Sequence, residues 1–330
     1  MNLRRFLVCL QLLAWATLLC SANADTEQNI LEDKTGETRL QEQDYSEVNF
    51  IYYTSDPTNF TIVPINQVDD LLNLIDVQKP TVFYAHGYTE TPSGDSVHGI
   101  TTAFIQRGQH NVVLVDWSKY DGAPYTSALE NVPGVGKAVG EAIDSLVQQG
   151  LCSDDLWFIG HSLGAHVAGA VAEAVSFTWK RITGLDPAGP GYAKPLLTRE
   201  SALVVDVVHT DAGVAGYNSN DGSIDFWPNG GHRDQPGCHV WEVGFLESVG
   251  CSHMRSWQFF AESVNDEQAF PAVPCSSYED FQLGRCPPTD ANTVYLGYAA
   301  AQARVEGSAY LVTASKSPFG LGAKGTEPAQ

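Results

Sequence analysis

A serine between two glycines is the first group in this sequence that could do chemistry. The stretch GHSLG at residues 160–164 fits the pattern G-x-S-x-G, with an apolar run at 156–159 before it and small residues after it. The pattern is typical of a strand that turns sharply into a helix, with an exposed serine hydroxyl at the tip. We therefore interpret Ser162 as a nucleophile.

A serine nucleophile needs a histidine to accept its proton and an acid to orient that histidine. On sheets that carry this motif, the three groups follow one another in the order Ser, acid, His. Asp186 is the preferred acid because it directly follows the apolar run 182–185. Asp211, after the next apolar run, is a possible substitute, whereas Asp206 lies inside that run and is expected to point into packing.

The same chain order leaves four histidines as candidate bases, of which His253 is preferred. It follows Cys251 by two residues, so a disulfide there would hold its loop within hydrogen-bond reach of the nucleophile. His209 ends an apolar run and stays open as a rival. His232 and His239 lie in loop sequence and are expected to be solvated.

Attack by the serine places a negative charge on the substrate oxygen, which two backbone N–H groups must stabilise. One donor is expected to be Leu163, the residue after the nucleophile. The other belongs to the turn after an earlier strand, where the sequence HGY occupies residues 86–88. Tyr88 N–H is therefore the second candidate for the oxyanion hole.

These residues must be positioned by strands that alternate with helices. Apolar runs at 81–85, 112–115, 156–159, 182–185 and 203–208 predict strands, and small residues at 165–174 predict a helix. A second helix is indicated by one apolar face, formed by Val135, Val139, Ile143 and Leu146. The alternation predicts an α/β fold, with a mostly parallel central sheet covered by helices on both faces and reactive groups at the carboxyl ends of its strands.

The ends of the 330-residue chain have a different character from its centre. Residues 1–24 carry two arginines, an apolar run and the small-residue sequence ANA, which is typical of a secretory signal peptide. Residues 25–47 form a polar, acidic lead-in, and 320–330 are expected to be a flexible tail. The α/β domain is expected to span 48–319 and to be secreted, without a transmembrane anchor.

The formal net charge is −21, and it becomes −23 when Arg4 and Arg5 leave with the signal. A field of this sign repels nucleic acid and anionic bilayers, so contact with lipid must come from apolar burial. The sequence Asn59-Phe60-Thr61 is an N-glycosylation acceptor suited to a secreted surface loop.

Five cysteines remain after the signal is removed. In an oxidising compartment, Cys238 with Cys251 and Cys275 with Cys286 are the local pairs that the spacing suggests, although sequence alone leaves the connectivity open. Cys152 is left over and is expected to be a buried free thiol.

Six motifs in order resemble the pancreatic lipase family of secreted lipases and phospholipases: YAHGYTE, GHSLGAH, GLDPAGPG, VVHTD, FWPNGGHRDQPGC and CSHMRS. The resemblance covers residues 48–319 and implies an α/β-hydrolase fold. It also implies the triad Ser162, Asp186 and His253, with Tyr88 and Leu163 as oxyanion donors. The two cysteine pairs match family disulfides, the first of which closes a lid.

The sequence departs from the family in two places. It ends too soon for the C-terminal lipid-binding β-sandwich of the digestive members, so no helper protein or other partner protein is expected. The segment that matches the calcium loop looks shortened, with only Glu200 nearby, so we expect no metal and no cofactor.

Within the Cys238–Cys251 loop lies HVWEVGFLESVG, residues 239–250. On a helix its apolar side chains form one stripe, which predicts a lid that opens on lipid and closes in water. The stripe consists of Trp241, Phe245, Leu246 and Val249.

In the family, a short lid and a short loop after VVHTD accompany phospholipase A1 activity, so we expect a glycerolipid ester hydrolase that acts through an acyl-enzyme at the lipid–water interface. The alternatives are a yolk-type lipid carrier and a hydrolase of small soluble esters.

Overall fold

The computed structural model describes residues 43–239, 245–303 and 305–328, and gives the backbone but not the side chains of 245–249. The chain divides into two compact units, 1–44 and 45–330. The proposed signal peptide and nearly all of the proposed lead-in lie outside the described residues. Every element below belongs to the second unit.

The second unit is built on one large sheet. Its order is β10-β9-β11-β8-β7-β6-β5-β3-β4-β1-β2, and the seven neighbouring strands from β4 to β11 are parallel. The strands are β1 Asn49–Tyr53, β2 Phe60–Pro64, β3 Thr81–Ala85, β4 Asn111–Asp116, β5 Leu156–His161, β6 Trp179–Leu185, β7 Ala202–Val208, β8 Ile224–Pro228, β9 Pro271–Pro274, β10 Val294–Tyr295 and β11 Gly307–Leu311.

Helices cover both faces of this sheet. The described α-helices are α1 Val68–Leu74, α2 Asp95–Arg107, α3 Tyr125–Gln148, α4 Leu163–Ala174, α5 Phe245–Asn265 and α6 Tyr278–Gln282. Helices α3 and α4 pack together on one face, and α2 and α5 pack together on the other. Within the described residues, no helix is both long and apolar enough to cross a membrane.

Two hydrophobic cores explain why the central strands read as unbroken apolar runs. On β3, Phe83 and Ala85 face the core that contains α3 and α4. Val82 and Tyr84 face the core that contains α2 and α5. Because successive side chains of a strand point to opposite faces, a strand buried on both faces has no polar positions.

The chain changes direction across the sheet next to β3. Strand β4 adds on one side of β3, and β5 adds on the other. Crevices outside the carboxyl ends of parallel strands open at such a switch point and are the usual binding sites of open α/β sheets. The turns after β3 and β5 are those expected to carry Tyr88 and Ser162, so the predicted site lies at this point.

The sheet is that of an α/β hydrolase, as predicted, and it has more strands than the sequence indicated. The hairpin of β1 and β2 and the strands from β8 to β11 were not predicted. Polar side chains interrupt two of these runs, Asp225 in β8 and Ser308 in β11. Both strands take their place from pairing with each other rather than from a local apolar pattern.

The predicted flexible tail is wrong for most of its length. A 3-10 helix covers Gly322–Thr326, in which Gly325 and Thr326 are buried. Its backbone is bonded to the body of the unit, with Gly322 N–H donating to Ala269 and the Gly325 carbonyl accepting from Val312. A Cβ on Gly320 would lie 2.6 Å from the Ala269 carbonyl oxygen, so the chain just before this helix packs closely against neighbouring backbone.

The cysteines follow the predicted local pairing, with one correction. Disulfides join Cys238 to Cys251 and Cys275 to Cys286. The prediction of a free thiol at Cys152 is wrong, because this cysteine is half-buried and disulfide-bonded.

Candidate active site

Ser162 occupies the sharp turn between β5 and α4. Its backbone has φ 56° and ψ −121°, a region that residues with a Cβ rarely adopt and that costs about 1–3 kcal/mol. The surrounding backbone holds it there, since its N–H donates to the Leu185 carbonyl at 3.0 Å and its carbonyl accepts from Ala188 N–H at 3.3 Å. The side chain is 7% exposed at the mouth of the site.

The two glycines of the motif are required by close backbone contacts. A Cβ on Gly160 would lie 2.2 Å from the Gly164 carbonyl oxygen, and one on Gly164 would lie 2.2 Å from the Ala85 carbonyl oxygen. These neighbours are backbone atoms and have no alternative rotamer. Helix α4 therefore approaches the ends of β3 and β5 closely enough to form the turn only when both positions are glycine.

The structure brings Asp186 and His253 into direct contact. Asp186 follows β6 and is fully buried, and His253 lies on α5, 67 positions further along the chain. The distance from His253 Nδ1 to Asp186 Oδ2 is 2.6 Å. Because the ionised carboxylate only accepts, Nδ1–H is the donor, which leaves Nε2 as the proton-accepting nitrogen.

Backbone groups hold the carboxylate of Asp186 in place. Thr210 N–H donates to Oδ1 at 2.8 Å, and Asp211 N–H donates to Oδ2 at 3.1 Å. Both donors lie just after β7, the strand next to β6. The acid is thus oriented by the edge of the sheet rather than by a flexible side chain.

His253 lies beside the serine turn. Its ring centroid is 4.8 Å from that of His161, the residue that precedes Ser162. Ser162 and His253 are both described, and the structure shows no hydrogen bond from Ser162 Oγ to His253. In unliganded hydrolases this contact is often long and shortens when substrate binds. The structure thus joins Asp186 to His253 directly and places the His253 ring next to the residue that precedes Ser162.

Both expected oxyanion donors lie at this turn. Leu163 is the first residue of α4, and an N–H at that position has no acceptor within the helix. Tyr88 lies in the turn after β3, where a Cβ on Gly87 would be only 3.0 Å from Ser162 Cβ. Tyr88 and Leu163 therefore follow neighbouring strands, β3 and β5, on either side of the serine turn.

The rival base and rival acid are engaged elsewhere. His209 is fully buried, bonds Asp225 through Nε2 at 2.8 Å and stacks on Trp227. Asp211 accepts two bonds from the Arg233 guanidinium, each of 3.1 Å. Burial raises the pKa of Asp211, and the hydrogen bond from Arg233 opposes this rise.

Glu90 is a residue at the site that sequence reasoning missed. Its Oε2 accepts from Gly87 N–H at 2.9 Å and lies 3.4 Å from His161 Nδ1, so it links the turn after β3 to the serine turn. Burial raises the pKa of Glu90, but the hydrogen bond and charge of His161 outweigh burial and hold that pKa well below its usual value. Glu90 and His161 come together only because β3 pairs with β5, so no local sequence pattern could predict their contact.

Part of the predicted lid, including Trp241, lies outside the described residues. Phe245, Leu246 and Val249 lie on α5, the helix that also carries His253, and their side chains are not described. Cys238 and Cys251 form the disulfide that was predicted to close the lid loop. The predicted lid residues Phe245, Leu246 and Val249 therefore lie on the same helix as His253, whereas the sequence suggested that His253 lies in a loop.

A cavity of about 350 Å³ lies beside the loops after β6 and β7. It adjoins the segment whose Ala188 N–H bonds the serine turn. Its lining is mostly backbone and small residues: Gly189, Pro190, Gly213, Val214, Gly216, Tyr217 and Asn218. Among the described residues, no group of three or more His, Cys, Asp or Glu side chains is arranged to hold a metal ion.

Comparison with known proteins gives one family match and several relatives. The family model described as Lipase matches residues 11–319. Lipase member H from Mus musculus is 36% identical over 231 residues, 68% of this chain and 51% of that protein. Pancreatic lipase-related protein 2 from Homo sapiens is 32% identical over 270 residues, 74% of this chain and 57% of that protein. The chain spans about half the length of the curated relatives it matches.

Solved structures resemble the chain less closely. An α-β serine hydrolase homologue from Coxiella burnetii aligns with 42% of this chain and 65% of its own, at 17% identity and a TM-score of 0.31.

Proposed function

Because this chain belongs to the Lipase family, we propose that it is a carboxylic ester hydrolase of glycerolipids that works through a Ser162–Asp186–His253 triad. The observation that carries the proposal is the 2.6 Å contact from His253 Nδ1 to the buried carboxylate of Asp186, beside a serine in a strained strand-to-helix turn. A buried acid that orients a histidine next to such a serine is the arrangement that acyl transfer requires.

The reaction begins with attack by Ser162 Oγ on the ester carbonyl carbon. As the new C–O bond forms, the hydroxyl proton passes to His253 Nε2, and Asp186 stabilises the resulting imidazolium. The carbonyl oxygen becomes an oxyanion that accepts from Tyr88 N–H and Leu163 N–H. Collapse of this intermediate breaks the bond to the alcohol, which takes the proton from His253, and leaves an acyl-enzyme.

Water then repeats the sequence on the acyl-enzyme. His253 Nε2 removes a proton from the water, whose oxygen attacks the acyl carbon, and the second oxyanion uses the same two donors. The fatty acid leaves as Ser162 regains its proton. The chemistry uses only side chains and backbone groups of this chain, so the proposal includes no metal or cofactor.

For the substrate, we propose lipid aggregates and an appreciable phospholipase A1 activity. Burial of the four apolar lid residues would supply about 6–12 kcal/mol at most, from roughly 1.5–3 kcal/mol for each side chain. This is enough to hold an acidic protein on a lipid surface that its charge does not favour. The short loop after β7 supports phospholipid as substrate through the family resemblance.

The decisive experiment compares the full chain with Ser162→Ala on phosphatidylcholine vesicles, emulsified triolein and dispersed galactolipid, side by side. We expect hydrolysis by the wild type, none by the variant, and fluorophosphonate labelling that Ser162→Ala abolishes. A wild type that is neither labelled nor active would support the lipid-carrier alternative instead.

The lid needs its own test, because a hydrolase of small soluble esters would use the same triad. Replacing Trp241 and Phe245 with serine is expected to reduce activity on vesicles while leaving hydrolysis of monomeric short-chain esters within about threefold. Equal losses on both substrates, or kinetics without a jump when monomers aggregate, would contradict interfacial opening.

We also propose that the chain is secreted and carries a glycan on Asn59. The apolar run and small-residue cleavage signature in residues 1–24 support secretion, as do the two disulfides. Asn59 is exposed at the end of the turn between β1 and β2.

A further inference from the structure

His86 is a buried histidine that the proposed mechanism leaves without a role. It lies directly after β3 and is fully inaccessible to solvent. Asp116, at the end of β4, lies 3.9 Å from its Nε2, and Asp121 lies 3.4 Å from its Nδ1. The ring also stacks on Trp117. A histidine between two carboxylates in the interior is costly to assemble unless it carries charge.

The ring of His86 contacts the peptide group that carries the Tyr88 N–H. Its Nδ1 lies 3.1 Å from the Gly87 carbonyl oxygen, which accepts from it. The Gly87 carbonyl and the Tyr88 N–H belong to one planar trans peptide, so they point in opposite directions. A bond that holds the carbonyl therefore also sets the direction of the N–H.

We infer that His86 is a positioning residue, an imidazolium held between Asp116 and Asp121 that orients and polarises the Gly87–Tyr88 peptide for the oxyanion. The inference rests on the proposed function. Donation from a cation to the carbonyl draws electron density through the peptide and makes its N–H a stronger donor, because hydrogen bonds in a chain polarise one another. His86 touches no reacting atom and acts through Tyr88.

The charges around His86 favour its protonated form. Burial lowers the pKa of His86, but Asp116, Asp121 and the Gly87 carbonyl together raise it to about 9. For Asp116, burial raises the pKa, but the nearby His86 and the hydrogen bonds from Ser118 outweigh burial and lower that pKa, which favours the ionised carboxylate. Burial raises the pKa of Asp121, His86 opposes this rise, and the carboxylates of Asp116 and Glu90 add to it, so Asp116 is the more readily ionised of the two partners.

The turn has other supports that do not involve the imidazole. Trp117 Nε1–H donates to the His86 carbonyl at 3.0 Å, and Thr89 N–H donates to the Asp121 carbonyl at 3.4 Å. Glu90 N–H also donates to the Gly87 carbonyl, at 3.3 Å. Because these bonds remain when the ring is changed, we expect the fold of the turn to survive, and the loss to fall on peptide orientation and polarity.

The test measures kcat and KM of the full chain between pH 5 and pH 10 on a soluble short-chain ester. His86→Gln is expected to lower kcat about 10- to 100-fold, below the loss from deleting a whole oxyanion donor, with KM within about threefold. The alkaline fall of kcat near pH 9 should vanish in this variant. His110→Gln, at a half-buried histidine outside the site, is the control.

Asp116→Asn keeps the test decisive if His86→Gln does not fold. Removing this carboxylate is expected to move the alkaline limb of kcat towards neutral pH by about one unit. An unchanged limb in folded Asp116→Asn, or a folded His86→Gln that loses only thermal stability, would overturn the inference. A wild type inert to every ester would instead refute the proposed function on which the inference depends.

Discussion

His166 gives the prediction that can be worked furthest from the structure. It lies on α4, one turn after Ser162, and is fully buried. Its Nε2–H donates to the Ala188 carbonyl at 2.7 Å, and Leu196 N–H donates to its Nδ1 at 3.2 Å. Since Nδ1 is used as an acceptor, only the neutral imidazole fits this site. Lowering the pH should therefore destabilise the fold, because it protonates His166.

The size of the effect follows from linkage between protonation and folding. Burial lowers the pKa of His166 from 6.5 to about 4, with the bond to Ala188 opposing the shift. A depressed histidine pKa means that the unfolded chain binds the proton first, so this contribution to stability is full above pH 6.5 and declines as pH falls towards 4. The free energy of unfolding should lose about 2 kcal/mol between pH 7 and pH 5 from this group, and about 3 kcal/mol by pH 4.

The assay is urea unfolding of the wild type and of His166→Gln at pH 7, 6 and 5, followed by tryptophan fluorescence with disulfides intact. The glutamine variant should be less stable at pH 7 by about 1–2 kcal/mol, the value of a buried hydrogen bond. Because glutamine does not titrate and the wild type loses about 2 kcal/mol through His166, the stability difference between the two proteins should vanish or change sign at pH 5.

The exposed His98 supplies a matched control, since His98→Gln should leave the pH dependence of unfolding as in the wild type. Parallel pH dependences for the wild type and His166→Gln would refute the reasoning. They would mean that His166 binds its proton equally well in the folded and unfolded chains.

Three further changes have defined outcomes. Asp186→Asn should lower kcat about 10³- to 10⁴-fold with little change in thermal midpoint, because the histidine loses its orientation; a smaller loss in steady-state assays would point to another acid. Arg181→Leu leaves the fully buried Asp206 without its ion pair. Chemical unfolding should show that the free energy of unfolding falls by about 3–5 kcal/mol. Arg199→Leu, which breaks an exposed ion pair, should lower it by less than about 1 kcal/mol. Asn59→Gln should lower the mass of the protein secreted by eukaryotic cells, and an unchanged mass would exclude the glycan.

Much of the fold could be predicted from the sequence because the parallel strands are buried on both faces. Runs such as 81–85 and 156–159 have to be apolar throughout, and the structure has strands at both places. The serine turn could be predicted because G-x-S-x-G is a local pattern, although the contact that requires Gly164 is with β3, which is distant in the chain. Elements with mixed composition, such as β8 with Asp225, were not predicted.

The chain order of nucleophile, acid and base was already in the sequence, but four histidines satisfied it, with His253 preferred and His209 as its rival. Tertiary structure distinguished them, because His209 is enclosed by Asp225 and Trp227, whereas His253 reaches Asp186. Neither pairing follows from spacing, since each joins residues on different elements.

By itself, the sequence determined the features that arise from neighbours along the chain, namely the buried strands and the strand-to-helix turn at Ser162, while it left the cysteine connectivity open. Only the tertiary structure decided what faces what across the sheet. The alignment of β3 with β4 places His86 next to Asp116, and its alignment with β5 brings Glu90 to His161. Local patterns record burial and backbone conformation, whereas the charges and hydrogen bonds of a site depend on distances between segments that packing alone sets.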